Sequence, residues 1–362
     1  MANFFSIFTP VNSNQNIKGR GAQQHLSNSF SKQEYTTEWD EGIDEYTHLD
    51  KPTTQIFYEH PKKIINKVSS PDVGMEYSIN PYQGCEHGCV YCYARNSHEY
   101  WGWDAGLDFE SKIIVKKNAA ELLGKELLNP NWKVKPIVLS GKTDCYQPLE
   151  RKLRITRSLL KVMAKYRHPV GIITKNTGFL EDLDLLEDLA KDNLVRVILS
   201  ITSLDEKLRS VLEPRTASSI KKLQAIKILR SKGIPVSIMN APIIPGLNHS
   251  EIPEIIKLSA ENGATDAGYT VVRLNGRIAE IFKKWLQNYF PDRSEKVWHQ
   301  IENLHRGKVN DSNWGQRMRG QGAEADMINQ LFHMAKKKYM KGGDRIQLNT
   351  SAFRKGGAYP LF

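Results

Sequence analysis

From Tyr77 onward the chain alternates short apolar runs with longer amphipathic stretches. Ile137-Val138-Leu139, Val170-Gly171-Ile172-Ile173, Val195-Arg196-Val197-Ile198-Leu199, Val236-Ser237-Ile238-Met239 and Tyr269-Thr270-Val271-Val272 are short and rich in β-branched residues, which predicts strands of a parallel sheet. Between them apolar residues recur every three or four positions, at Ile155/Leu159/Val162/Met163, Ile220/Leu223/Ile226/Leu229 and Ile252/Ile255/Ile256, the spacing of one helix face. Ser250 is placed to cap the last of these, and Gly233 and Gly263 fall where the last two should stop, because glycine takes the left-handed conformation that ends a helix. Six such units between Tyr77 and Arg273 predict an α/β fold, a partial (β/α)6 barrel of parallel strands joined by right-handed crossovers.

The flanks read differently. Residues 1–67 are polar and poorly periodic, an N-terminal arm, with Asn12-Ser13-Asn14-Gln15 and Ser27-Asn28-Ser29 as its loosest parts. The barrel is expected over 68–275. Beyond Gly276 helical spacing takes over, at Ile278/Phe282/Trp285, Val297/Ile301/Leu304 and Ile328/Leu331/Phe332/Ala335, so 276–362 is read as a C-terminal helical extension that either closes the barrel mouth or packs beside it.

Composition narrows the setting. Of 362 residues, 40% are hydrophobic, and no window approaches the roughly 18 apolar residues of a membrane span. The start lacks a basic, then apolar, leader, so a cytoplasmic protein with no membrane partner is expected. Fifty-one basic against 40 acidic residues give a net charge of +11, which raises the local concentration of anions such as nucleic acid. Lys336-Lys337-Lys338, Lys341, Arg345 and Arg354 form one basic group, and Arg306, Lys308, Arg317 and Arg319 another.

Three of the four cysteines, Cys85, Cys89 and Cys92, fall within eight residues as CxxxCxxC. Three thiolates on a short loop can hold three irons of a four-iron four-sulfur cluster, leaving the fourth iron open to a small molecule. Gly84 and Gly88 free the backbone to wrap around it. A structural zinc knuckle is the alternative, and it needs a fourth ligand from His87, His98 or Cys145.

The spacing, with Tyr91 as the aromatic before the third cysteine, resembles the radical S-adenosylmethionine superfamily signature CxxxCxΦC. The longer run from Ser78-Ile79-Asn80-Pro81-Tyr82-Gln83-Gly84-Cys85 to Cys92-Tyr93-Ala94-Arg95 is similar to the branch that includes spore photoproduct lyase and many DNA-repair-photolyase-like bacterial relatives. The resemblance implies the six-unit open barrel, a 4Fe-4S cluster on Cys85, Cys89 and Cys92, and S-adenosyl-L-methionine as cosubstrate. It implies reductive cleavage to a 5'-deoxyadenosyl radical that takes a hydrogen atom from substrate, with ferredoxin or flavodoxin as electron donor. Together with the charge, it makes a nucleic-acid substrate the leading expectation. The alternative is a noncatalytic iron-sulfur or zinc protein that binds nucleic acid.

In parallel α/β barrels the loops after the strands converge on one mouth. The resemblance then assigns Thr143 and Asp144, after the second strand, to the methionine amino group. It assigns Lys175, Ser200 and Arg215 to the carboxylate or ribose, and the backbone at Tyr91 to adenine. Asn240 and Arg273, at the ends of the fifth and sixth strands, point toward adenosine or substrate by the same geometry. Spore photoproduct lyases carry a hydrogen-donating cysteine after the second strand, where this chain has Gly141. Cys145, four residues on, is read as a buried thiol or a displaced donor. Tyr100, Trp101 and Trp103 are either core or base-stacking rings.

Overall fold

The computed structural model describes residues 17–30, 53–340 and 347–357. Asn12 to Gln15, Lys341 and Arg345 lie outside the described residues. Ten strands follow in order: β1 (Gln55–Glu59), β2 (Ile65–Lys67), β3 (Tyr77–Ile79), β4 (Tyr82–Gln83), β5 (Lys112–Lys116), β6 (Ile137–Leu139), β7 (Val170–Thr174), β8 (Val195–Ser200), β9 (Val236–Ile243) and β10 (Asp266–Val271). The main sheet has the order β10-β9-β8-β7-β6-β3-β2. Its six strands from β3 to β10 are parallel neighbours in chain order, the expected open six-unit sheet, and β2 adds an antiparallel edge to β3.

The helices expected from periodicity form at Ile155–Tyr166, Ser219–Ser231 and Ile252–Glu261, and pack their apolar sides on one face of the sheet. Leu159, Met163, Ile226, Leu229, Ile255 and Ile256 join Ile172, Val197 and Leu199 in the main core. Gly233 and Gly263 end their helices at φ +70 and +105. Two details differ. Ser250 lies inside a single 3-10 turn, His249–Glu251, and Glu251 occupies the cap position without a side-chain hydrogen bond. Ile220 is 69% exposed, because Ser218 caps the helix through the Lys221 amide and sets a phase in which Ser219, Lys222, Ala225, Ile226 and Leu229 face inward. An inward lysine is invisible to a hydrophobicity pattern.

Within the stretch read as an arm, β1 pairs parallel with β5, and β4 pairs antiparallel with β5, making a small second sheet. Its sequence carries no clear strand signal, since β1 has only exposed and half-buried positions and none that is buried. Residues 17–30 also pack onto the domain, burying Ala22 and Leu26 against Val90, Leu208 and Trp285.

The C-terminal helices sit beside the barrel. Ile278–Tyr289 and Ser294–Leu304 share that second apolar cluster, while Ala323–Tyr339 lies against Ile252–Glu261. Between them residues 309–321 run along the free edge of β10. The Val271 amide donates to the Met318 carbonyl at 3.0 Å, the Leu274 amide to the Val309 carbonyl at 2.9 Å, and Arg319 to the Tyr269 carbonyl at 3.2 Å. From this strap Arg317 pairs with Asp72 and donates to Ser70 at 2.7 Å, in the turn between β2 and β3. The strap therefore joins the two edges of the open sheet.

The other face of the sheet is hollow. Val138, Gly171, Arg196 and Ile198 alternate with the helix-packed positions and line a cavity of about 670 Å3 walled by Val73 and Met75. Among the described residues no helix is long and apolar enough to cross a membrane.

Candidate functional site

The cysteine loop follows β3 and β4 at the end of the sheet where the strands finish. Gly84 and Gly88 hold φ values of +76 and +68, the left-handed conformation that side-chain-bearing residues avoid, and a Cβ on Gly84 would fall 2.8 Å from the Lys112 carbonyl. The Cys85 amide donates to the Phe109 carbonyl at 2.9 Å and the Val90 amide to the Leu212 carbonyl at 3.2 Å. Cys85 and Cys89 are buried and Cys92 half-buried.

A buried ion pair braces the loop from behind. Arg95 and Glu110 are both fully buried and paired. Arg95 also donates to the carbonyl of Cys89 at 2.9 Å, while the Glu110 carboxylate accepts from the amides of Gly21 at 3.0 Å and Ala22 at 2.8 Å. Arg20 donates to the Glu110 carbonyl. The Gly19-Arg20-Gly21-Ala22 segment is thereby fastened to the cysteine loop.

The donor set fits a cluster better than one zinc ion. Among the described residues the only His, Cys, Asp and Glu ligand atoms that gather in threes within 4.8 Å are those of His25, Asp104 and Asp108. The three thiols are more widely spread, whereas thiolates on a single tetrahedral zinc lie about 3.8 Å apart. Of the fourth zinc ligands considered, His98 and Cys145 are engaged elsewhere, whereas His87 bonds Cys85 as well as its other partners. His87 sits 3.4 Å from Asp144 and 3.2 Å from the Asn176 amide, His98 packs against Trp103 and Phe109, and Cys145 belongs to the main core rather than to the small cluster of Cys85, Cys92, Ala94 and Phe109.

The residues assigned to the cosubstrate divide into two groups. Lys175 and Ser200 come together on the hollow side of the sheet, by alternation with Thr174 and Leu199. Lys175 reaches the Ala241 carbonyl at 3.4 Å and lies 5.9 Å from the Tyr91 ring centroid. The others carry structural hydrogen bonds. Thr143 donates its hydroxyl to the Tyr82 carbonyl at 2.6 Å. Asp144 accepts from the Thr174 hydroxyl, the Lys175 amide and the Tyr146 amide, all at 2.8 to 2.9 Å. Burial would raise its carboxyl, but His87 and these donors hold it below the ordinary value. Asn240 is buried, donating to the Ile201 carbonyl at 2.9 Å while its Oδ1 lacks a partner among the described residues. Arg215 lies 3.2 Å from Glu86, not from Glu213 or Asp205, because Glu213 is turned inward and Asp205 caps the helix Glu206–Leu212.

That inward Glu213 is the residue the sequence reading missed. It is fully buried, accepts from the hydroxyls of Tyr91 and Thr202, and lies 3.5 Å from the buried Lys222. Burial alone would raise its carboxyl, yet Lys222 and Lys175 outweigh it and keep the group ionised. Tyr91 thus has its hydroxyl tied down.

Cys145 is fully buried, and burial pushes its thiol well above the ordinary value. Its amide donates to Ser140 at 2.7 Å, and its carbonyl accepts from Thr156 at 2.7 Å. Of the three rings after the loop, Trp103 packs on Phe57 at 4.6 Å, while Tyr100 is 77% exposed, stacked on Phe30 at 5.1 Å, and Trp101 is 40% exposed.

Residues 79–259 match the model of the Radical SAM superfamily. An uncharacterised protein of Mycobacterium tuberculosis (strain H37Rv) is 31% identical over 234 residues, 64% of this chain and 69% of that protein. Another, from Methanocaldococcus jannaschii, is 32% identical over 236 residues, 65% of this chain and 84% of that protein. A mutant of spore photoproduct lyase superposes with a TM-score of 0.59 at 15% identity, covering 79% of this chain and 80% of the other. The same lyase complexed with dinucleoside spore photoproduct gives 0.58 at 15% identity, with the same coverage. With the cysteine loop at the strand ends of a six-unit parallel sheet, the chain belongs to the radical S-adenosylmethionine superfamily and is an enzyme.

Proposed function

We propose that Cys85, Cys89 and Cys92 hold a 4Fe-4S cluster and that the mouth of the barrel binds S-adenosyl-L-methionine for radical chemistry on nucleic acid. When bound, the pair supplies a one-electron cleavage of the sulfonium that yields a 5'-deoxyadenosyl radical able to take a hydrogen atom from substrate. The observation that carries the reading is the glycine-hinged loop of three thiols, with the Lys175 ammonium within electrostatic reach of Cys89 and Cys92. Lys175 offers a cation for the methionine carboxylate, and Ser200 a compact donor for carboxylate or ribose. Asp144 works by fixing the Lys175 backbone and the loop after β6. The fully buried Arg95–Glu110 pair and the Gly19–Ala22 segment keep water away from the thiolates.

The +11 charge, the exposed rings of Tyr100 and Trp101, and the complex of a structural neighbour with a dinucleoside photoproduct support a nucleic-acid substrate. A base in a duplex must be extruded to reach a buried radical. Free thiols on all four cysteines suit a reducing cytoplasm and a ferredoxin or flavodoxin donor.

The test is anaerobic reconstitution with iron and sulfide, then dithionite and S-adenosylmethionine, with chromatographic detection of 5'-deoxyadenosine. Product from the wild type and none from the Cys85/Cys89/Cys92→Ala triple variant is expected. A colourless protein that binds zinc instead would overturn the reading in favour of a noncatalytic metal protein.

A further inference from the structure

Arg273 ends the sixth parallel strand unit at the barrel mouth, and its backbone is fixed on both sides. The Val272 amide donates to the Ile243 carbonyl at 2.9 Å, and the Leu274 amide to the Val309 carbonyl at 2.9 Å. The residues just beyond it are stapled to the helix that continues the cysteine loop. Asn96, three residues past Tyr93, donates to the Asn275 carbonyl at 2.8 Å and accepts from the Arg277 amide at 3.2 Å. This brings the Arg273 side chain within electrostatic reach of Tyr93, the neighbour of Cys92, and of Arg317 on the strap.

Among the described residues no hydrogen bond or close ion pair engages the Arg273 guanidinium, although the carboxylates of Asp72 and Asp311 act on it from farther off. Other arginines of the mouth and strap are committed: Arg215 to Glu86, Arg277 to Glu99 and Glu280, and Arg317 to Asp72. A half-buried guanidinium without a hydrogen-bond acceptor costs desolvation that charges farther off offset only in part, and a ligand can supply the missing acceptor. Its planar fork matches the paired oxygens of a phosphodiester.

The surroundings suit a nucleotide more than a carboxylate. Tyr93 is half-exposed, with its hydroxyl donating to the Gly141 carbonyl, so the ring is held at a fixed tilt. Such a ring takes any base by stacking. A Cβ on Gly141 would lie 2.8 Å from the Ser78 Cβ, so the Gly141 carbonyl that accepts from Tyr93 is itself closely packed.

We propose that Arg273 is the phosphodiester anchor of this mouth, gripping the backbone of a single-stranded or extruded nucleotide whose base lies against Tyr93. The inference rests on the nucleic-acid reading above and gives it a substrate-positioning residue.

The experiment uses the anaerobically reconstituted full chain and a fluorescein-labelled hexathymidylate, with binding followed by anisotropy across a range of salt concentrations. Arg273→Gln should weaken binding about five- to tenfold and lower the slope of log affinity against log salt by about 0.7, one phosphate contact on a single strand. Arg273→Lys should restore the slope and part of the affinity, which a merely structural role would not do. Lys161→Gln, on an exposed helix position, should match the wild type. Wild-type affinity and slope in Arg273→Gln would overturn the proposal, as would absence of hexathymidylate binding by the wild type. Equal displacement of the probe by hexaglutamate would overturn the phosphate class in favour of a carboxylate substrate. Formation of 5'-deoxyadenosine by the wild type, measured separately, tests the radical reading alone, so the two can fail independently.

Discussion

Gly21 lies so close to the Gly88 carbonyl oxygen that a Cβ on Gly21 would fall 1.8 Å from it. No side chain can be accommodated there without moving either the N-terminal segment or the cysteine loop. Gly21→Ala should therefore detach the segment, expose the loop to solvent, and lower iron retention several-fold on exposure to a chelator. Iron and sulfide content after chelator challenge checks this. Retention equal to wild type would show that the segment does not shield the site.

The Glu213–Lys222 pair is buried beneath Tyr91, and removing one partner strands the other charge. Glu213→Ala should cost about 3–5 kcal/mol in chemical denaturation. The combined Glu213→Gln and Lys222→Met variant should recover most of it, because neither group then carries an unpaired charge. Additive losses in the double variant would rule out this coupling.

His25 gives the N-terminal segment a pH dependence. Its hydrogen bond to Asp104, at 2.6 Å, raises its pKa above the ordinary value; burial opposes this, the charges of Asp104 and Asp108 add to it, and Lys112 subtracts. A raised folded-state pKa means the contact stabilises fully below about pH 6.5 and is lost as pH rises through the folded value. Amide exchange over residues 20–28, corrected for intrinsic rates, should become faster as pH rises, and His25→Gln should flatten that dependence. A profile unchanged by His25→Gln would remove His25 as its source.

Cys145 is fully buried in the main core. Cys145→Ala should leave 5'-deoxyadenosine formation at the wild-type rate and cost about 1 kcal/mol of stability. A changed product distribution on a true substrate would restore the donor role.

The parts legible in the sequence are those encoded by spacing. Three cysteines in eight residues, and the apolar runs of β6 to β8, are local patterns, and the structure keeps them at or within a residue of the expected places, while β9 starts where expected and runs four residues past Met239. β10 begins three residues before Tyr269, because Asp266, Ala267 and Gly268 carry little apolar signal. Contacts between distant residues left no such trace. Glu110 meets the Gly21 and Ala22 amides across nearly ninety residues, and nothing in either segment specifies the other. Arg215 finds Glu86 rather than its sequence neighbours for the same reason: charge alone does not say which carboxylate folding will bring near. Lys222 shows the converse limit, since a lysine inside a helix face is read as solvent-facing until its buried carboxylate is known.

The strap over β10 has a consequence for how the molecule withstands being cut. A chain ending before residue 309 would retain all three cysteines and every strand, but the amides of Val271 and Leu274 would lose their acceptors at 318 and 309. The last strand would then present an unpaired edge, a template on which a second copy can add its own strand. Proteolysis within the strap should thus convert a covered edge into an aggregating one, although it touches no residue of the cysteine loop.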